Sequence, residues 1–385
     1  MSVNLSLAYC TNIWTHHQAP IAYELARMLG NERFKMCLFE PVHQERLNMG
    51  WVEQTERHSW LMGPPQSAAQ RNELERVVCE ADVAVLGDVP IDLREKRAAT
   101  GRLTFIMSER MWRVPYHPIR MLNPRFARGI RRYKAVANRD HVYHLSMGAY
   151  AAGDVRRINA YAERIRCWGY FAEMSDNAPA VRMAKPLRLL WAGRLLSLKR
   201  VDVLIKAFAL LDSAEDEIVL DIIGSGPEKK KLERLAQSFN LAGRCVFHDP
   251  VNAQEVRARM QGADIYVFPS NRHEGWGVVA NEAMIEGAVL VANEQAGASR
   301  VLIDDNKTGF LFKDGDVNGL AALLRRLIAS PQLCEEVRQN AWQKMHSLWH
   351  PRVGAERLLH VSQALLAGQA VPVYEDGPFS LRCTL

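Results

Sequence analysis

The sequence predicts two consecutive α/β domains, each built on a mostly parallel sheet. Three observations point there. Short apolar runs alternate with stretches of helical periodicity, which is the pattern of βα units. The alternation breaks at a polar, proline-containing stretch, residues 175–186, and then restarts in full. The length of 385 residues suits two domains of ordinary size.

The elements follow in order. Residues 3–10 are an apolar run and read as a buried strand. Residues 20–29 read as a helix, with Pro20 in the first turn, where its missing N–H costs nothing. Residues 34–39, 81–86 and 103–107 are further short strands. After the 175–186 linker come strand 187–192 and helix 201–211, with apolar residues at i, i+3, i+4 and i+7. Strand 218–223 runs into Gly224-Ser225-Gly226-Pro227. Helix 228–239, strand 246–247, helix 253–260, strand 265–268, helix 277–286 and strand 289–292 complete the second series. Helices 319–329, 333–348 and 353–366 follow, and residues 370–385 carry no signal. The expected boundaries are 1–175 for the first domain, 187–345 for the second, and 346–385 for a C-terminal helix and tail. Ligands of open α/β sheets sit at the carboxyl ends of the strands, so the loops there are where chemistry is sought.

Composition narrows the class. With 48% of residues apolar and 24% charged, the chain can build a core and is not expected to be disordered. A net charge of +6 fits anionic substrates or an anionic surface, and is too weak to argue for nucleic acid, which is not an expected partner. The seven cysteines form no C-x-x-C pair and read as free thiols of a reducing cytosol. No secretory leader pattern and no apolar run of spanning length stands out. The expected location is therefore the cytoplasm, free or peripheral on the membrane.

Two loops of the second half carry the chemistry. Gly193 to Arg200 leaves a strand end and places two of its cations, Arg194 and Lys199, in one strand-to-helix loop. Cations in a strand-to-helix loop suit a diphosphate, although a solvated basic loop is the plainer reading of this segment alone. Residues 272–282 follow another strand, with Glu274, Gly275, Trp276, Gly277 and Val278 leading into a helix that carries Glu282. Glycines let backbone N–H groups approach a phosphate closely. A carboxylate accepts two hydroxyl hydrogen bonds, which suits sugars and riboses. Glu282 lies between Ala280 and Ala283 in an apolar helix, where an idle carboxylate is costly.

In order and spacing these segments resemble the nucleotide-binding domain of the retaining GT-B glycosyltransferases of family GT4, the glycosyl transferases group 1. The resemblance runs from Leu187 to Phe312 and is carried by WAGRLLSLKRVDVLIKAF, IIGSGPEKKKLERLA, ADIYVFPSNRHEGWGVVANEAM and GASRVLIDDNKTGFLF. The Glu–x7–Glu pair, Glu274 and Glu282, is that group's recurrent motif. The resemblance implies two Rossmann-like domains facing a cleft, with the last helices crossing back to the first. It implies transfer of a sugar from a nucleotide diphosphate sugar to a glycan or lipid-linked acceptor, without an obligatory metal or other cofactor. By resemblance, Glu274 contacts the transferred sugar and Glu282 the ribose. Arg194 and Lys199 hold the leaving diphosphate, the loop at Gly193 and the backbone of Gly275 to Val278 add to the donor site, and Gly224 allows close approach near the nucleoside.

The first half matches less fully. The loop after its first strand, residues 11–20, has no glycine and resembles the HHQ-P version found in some bacterial surface-polysaccharide glycosyltransferases. That resemblance puts His16 and His17 on the acceptor side, against the alternative of a helix cap and an exposed side chain. Adjacent histidines are poorly placed to chelate one ion, so no metal is expected. Glu109 follows the strand 103–107 and reads either as an acceptor-side group or as an ion-pair partner of Arg110 or Arg113. Residues 110–139 are dense in arginine with Trp112, Tyr116, Phe126 and Tyr133 interleaved, a pattern that suits an anionic membrane surface or a solvated helix face.

Three readings compete with this one. A GT-B sugar-nucleotide epimerase shares the fold and donor site, and a non-catalytic sugar-nucleotide-binding protein keeps the same motifs. A nicotinamide dehydrogenase needs G-x-G-x-x-G after a strand, which is absent.

Overall fold

The computed structural model describes residues 4–42, 58–112, 122–175, 186–211 and 218–382. These residues fall into two units, one formed by residues up to 173 together with 348–382, the other by residues 174–347. The linker expected at 175–186 lies mostly outside the described residues, as do residues 113–121 of the arginine-rich stretch.

The first unit begins with β1 (Leu7–Thr11), α1 (Ala19–Leu29), β2 (Phe34–Leu38), β3 (Leu61–Met62), α2 (Ala68–Glu80) and β4 (Val83–Leu86). It continues with α3 (Ile91–Ala99), β5 (Leu103–Ser108), α4 (Pro124–Ala137), β6 (Val142–Met147), α5 (Ala151–Arg156) and β7 (Ile165–Trp168). The strands form one parallel sheet in the order β3-β2-β1-β4-β5-β6-β7. Every residue of β1 and β4 is buried, as parallel strands covered on both faces require. Helix α1 buries Ile21, Ala22, Leu25, Ala26 and Leu29 along one stripe and stops at Gly30, whose φ of 78° a helix does not admit.

Helices α2 to α4 and strands β6 and β7 lie outside the elements read from the sequence. Helix α2 buries only Leu74 and Val78, so its apolar stripe is thin. Strand β6 carries His144 and Ser146 at fully buried positions, which interrupts the apolar run a buried strand normally shows. Arg97 of α3 is also fully buried. Its guanidinium donates to the carbonyls of Val78, Cys79, Ala81, Asp82 and Leu103 and to Thr104 Oγ1, tying α2, β4 and β5 together.

The second unit comprises β8 (Leu187–Ala192), α6 (Val201–Ala209), β9 (Ile218–Ile223), α7 (Lys229–Ser238), β10 (Cys245–His248), α8 (Ala253–Gly262) and β11 (Ile265–Phe268). It closes with α9 (Val279–Ile285), β12 (Val289–Asn293), α10 (Ser299–Leu302), β13 (Phe310–Phe312), α11 (Val317–Ile328) and α12 (Pro331–Ser347). Its parallel sheet has the order β10-β9-β8-β11-β12-β13. The neighbours of β8 therefore run on in opposite directions along the chain, which makes the β8/β11 boundary the topological switch point. Helix α9 is shorter than the expected 277–286, because Gly277 has a φ of 88° and cannot be helical.

The chain then returns to the first unit through α13 (Pro351–Leu366), which packs against α1. Gly354 makes that approach possible: a Cβ there would lie 2.4 Å from Phe171 Cζ and 3.1 Å from Ile21 Cδ1. The tail, silent in the sequence, extends the sheet at β7. Phe379 N–H donates to Cys167 O at 2.7 Å and Cys167 N–H to Ser380 O at 2.9 Å. The Phe379 ring meets Phe105 and Trp168 edge-on. Among the described residues no helix is long and apolar enough to cross a membrane.

Candidate functional site

The switch point of the second unit lies between β8 and β11, and ligands of open α/β sheets bind at such a point, beside the loops that leave these strands. The β8 loop is first fixed to the loop after β9. Gly193 N–H donates to Ile223 O, Leu195 N–H to Ser225 O at 2.7 Å, and Glu228 N–H to Leu195 O at 3.1 Å. Two glycines make this possible. A Cβ on Gly224 would lie 1.9 Å from Gly193 O, and one on Gly226 would lie 2.5 Å from Leu195 O. The close approach that Gly224 permits is thus to the chain itself, at Gly193.

The same loop then tightens into a single 3-10 turn, Ser197–Lys199, with Arg200 in the left-handed region at a φ of 51°. Asn271, just after β11, joins it to the second loop. Its N–H donates to Leu198 O at 2.9 Å, its carbonyl accepts from Glu274 N–H at 3.0 Å, and its side-chain oxygen accepts from His273 N–H at 3.0 Å. These contacts bring Lys199 Nζ to 2.5 Å from Glu274 Oε2, across 75 residues of sequence. Both side chains keep some access to solvent, 18% for Lys199 and 14% for Glu274, so a ligand can reach them. Arg194 is exposed at the start of the same loop.

The segment around Gly277 is held from beneath. A Cβ on Gly277 would lie 2.1 Å from Phe268 Cζ, and one on Gly297 would lie 1.7 Å from Gly275 O. The Trp276 side chain is buried and donates through Nε1 to Asn281 Oδ1 at 2.8 Å, while its carbonyl accepts from Ala298 N–H. The indole is therefore a pin under the loop, and what Gly275 to Val278 can offer a ligand is backbone. Glu282 lies on α9 with only 6% exposure, among residues 280–285 that are all buried. Tyr266, on β11, bridges Ala192 N–H and Ala192 O through its hydroxyl, at 3.2 and 3.0 Å. Burial pushes that phenol far up, and the Glu282 and Glu274 carboxylates add to the shift, while the hydrogen bond to Ala192 opposes it. Sequence reasoning missed Tyr266 and Asn271. The signal for Tyr266 was a lone polar group in an otherwise apolar strand.

In the first unit, the residues expected on the acceptor side lie in the loops after β1 and β5. The 11–18 loop is braced by Gln18 Nε2 donating to Thr11 Oγ1 at 2.8 Å and by Phe39 and Glu40 N–H donating to Asn12 O. The rings of His16 and His17 stack with centroids 3.6 Å apart. Helix α1 takes no side-chain cap from this loop. Glu109 follows β5, and the neighbouring Arg110 pairs with Asp154 at 3.6 Å and lies over the Tyr150 ring. Ser108, at the end of β5, shares a 2.9 Å hydrogen bond with His144 Nε2. Burial, with the Arg94 charge nearby, pushes His144 down to about 3, so it is neutral at ordinary pH.

The arginine-rich stretch divides unevenly. Arg125, Arg128 and Arg131 are exposed on α4, while Arg132 pairs with Asp92 and Glu95 of α3. Among the described residues, its aromatics do not join the exposed face. Trp112 is buried against Phe126, and Tyr133 accepts a hydrogen bond from Tyr161. The described part of α4 presents charge there, and Tyr116 lies outside the described residues.

Residues 177–344 match the family model described as glycosyl transferases group 1. The chain is 25% identical over 201 residues to the uncharacterised glycosyltransferase YqgM of Bacillus subtilis, covering 52% of this chain and 55% of that one. It is 36% identical over 152 residues to the D-inositol 3-phosphate glycosyltransferase of an Arthrobacter species, covering 38% of this chain and 36% of that one. The chain thus spans about half the length, or less, of these curated relatives. Over nearly its whole length it shares a fold with Anabaena Alr3699/HepE, solved in complex with UDP. The TM-score is 0.67 at 16% identity, covering 94% of this chain and all of that one. The two parallel-sheet units are those of the GT-B fold. Residues 177–344, a little under half of the chain, are thus similar to the glycosyl transferases group 1 family.

Proposed function

We propose that this protein transfers a sugar from a nucleotide diphosphate sugar to a glycan or lipid-linked acceptor, with retention at the anomeric carbon and without an obligatory metal. The observation that carries this reading is the Lys199–Glu274 pair at the switch point, flanked by Arg194 and followed by the buried Glu282. Breaking a sugar–diphosphate bond puts negative charge on the leaving phosphate and positive charge on the sugar ring. Lys199 and Arg194 stabilise the first, and the Glu274 carboxylate stabilises the second. Glu282 holds the ribose through its two oxygens. The families of the relatives, and the UDP in the Anabaena structure, support a sugar-nucleotide donor.

In this reading the first unit receives the acceptor, with His16, His17 and Glu109 at its edge. The HHQ-P loop supports a role in cell-surface polysaccharide assembly. The exposed arginines of α4 would hold the enzyme on the cytoplasmic face of the membrane by charge alone. A panel of UDP, GDP and ADP sugars tests the core of the proposal. The correct donor should raise the melting midpoint by a few degrees, since about 100-fold saturation adds ~2.7 kcal/mol. Labelled sugar should then appear on an acceptor or, slowly, as free sugar. Conversion to an epimer, or binding without any turnover, would reject transferase activity.

A further inference from the structure

The two faces of the second unit's sheet are not equally covered. On the face that carries Leu190, helix α8 lies over β8, whereas Val219 and Asp221 of β9 and Val246 and His248 of β10 are only half-buried. Between the end of α8 and these strands lies a cavity of about 340 Å³. Leu190 and Ala263 form its floor, and Arg188, Asp221, His248 and Arg259 form its walls. The volume is within the range of small-ligand pockets, at the lower end.

The strand register explains why charged groups gather there. Leu190 is opposite Asp221, and Asp221 is opposite Val246. Arg188 lies two residues before Leu190 and His248 two after Val246, so the period of two puts Arg188, Asp221 and His248 on one face. A carboxylate in mid-strand is costly unless both its oxygens are engaged. Here they are: Asp221 Oδ1 is 2.7 Å from His248 Nε2, and Oδ2 accepts from Arg188 Nη1 at 3.2 Å. The acid therefore acts as a brace that orients an imidazole and a guanidinium beside the cavity. Arg259 Nη2 donates to Glu255 one turn back on α8, at 3.1 Å. Beyond these pairs, what the walls can offer is N–H from two guanidiniums over a small apolar floor. That combination suits an oxyanion carried on a compact body.

We propose that this cavity is a binding site for a small phosphorylated molecule, separate from the loops of the candidate donor site. None of its residues belongs to those loops. One hydrogen bond connects the two: Gly224 N–H donates to the carbonyl of His248 at 3.1 Å.

Calorimetric titration of the full-length protein with glucose 1-phosphate and with inorganic phosphate, at constant ionic strength, tests the site. Three proteins are compared: the parent, Arg188→Ala/Arg259→Ala, and Arg194→Ala/Lys199→Ala. Both probes should still bind the Arg194/Lys199 variant, in which the donor loops have lost these two cations and the cavity is intact. Affinity should fall at least about tenfold in the Arg188/Arg259 variant. Tighter binding of the sugar phosphate would identify an ester as the source of the phosphate, and equal binding would identify the free ion; either supports the oxyanion site. All substituted side chains are partly exposed, and Arg259→Ala alone serves if the double variant does not fold. No heat from either probe up to about 10 mM, or undiminished binding in the Arg188/Arg259 variant, would overturn the proposal.

Discussion

Substitution at the Lys199–Glu274 pair is the most direct test of the proposed chemistry, because the two residues interact with each other as well as with the donor. At 2.5 Å, with 18% and 14% of the side chains exposed, the pair is intermediate between a surface and a buried ion pair. Surface pairs contribute about 0.2–1 kcal/mol, and breaking a buried pair costs about 3–5 kcal/mol. Lys199→Ala or Glu274→Gln should therefore cost roughly 1–2 kcal/mol of stability and leave the fold intact, as urea unfolding will show. Turnover should respond far more. Removing one preorganised group from a developing charge costs about 3–4 kcal/mol, or 10²–10³-fold in kcat. If lysine and glutamate act as one unit, the losses will not multiply. The double variant should be about as slow as the slower single variant, not 10⁴–10⁶-fold down as independent sites would require. Single-turnover transfer from labelled donor reads this directly. A Glu274→Gln enzyme with normal turnover would refute the assignment of the site, and fully multiplicative losses would refute the coupling.

Three further outcomes are expected. Arg97→Met should cost about 4–5 kcal/mol in urea unfolding, because five carbonyls lose a buried donor, and Arg97→Lys should not restore it with only three N–H groups; a loss under about 1 kcal/mol would refute the role of the guanidinium. His144 is pushed down to about 3 in the folded protein, against about 6.5 in the unfolded chain, so its contribution is complete above pH 6.5 and is lost as pH falls, at ~1.4 kcal/mol per unit. Between pH 6.5 and 4.5 the stability of His144→Phe should fall less steeply than that of the parent by about that amount per unit, and parallel curves would refute the neutral buried imidazole. Replacing Arg125, Arg128, Arg131 and Arg139 by glutamine should abolish binding to phosphatidylserine vesicles at low salt, with each lost cation contributing about 1 kcal/mol, and unchanged vesicle binding would refute membrane contact.

Several elements were legible because their signal is local. Strands β8, β9 and β11 begin and end where the mainly apolar runs do, since buried parallel strands are written mostly in apolar residues, with Arg188 and Asp221 interrupting β8 and β9. Gly277 and the residues around it announced a phosphate-type loop, because only glycine accepts a φ of 88° there. Other features were illegible for an equally physical reason. Helix α2 hides because it buries two side chains, and β6 because His144, buried within it, shares a hydrogen bond with Ser108 of β5. Trp112, Phe126 and Tyr133 of the arginine-rich stretch read as surface anchors, yet they pack on the core, where apolar burial outweighs proximity to charge.

The sequence by itself determined the order of the βα units, the glycines its loops require, and the residue types of the donor loops. Tertiary structure alone decided that Lys199 meets Glu274, that Tyr266 and Asn271 lock the loops beneath and between them, and that Phe379 and Ser380 pair with Cys167 in the first unit. Each of these joins positions far apart in the chain. Periodicity reports which face of an element is apolar, but not which distant element that face will meet.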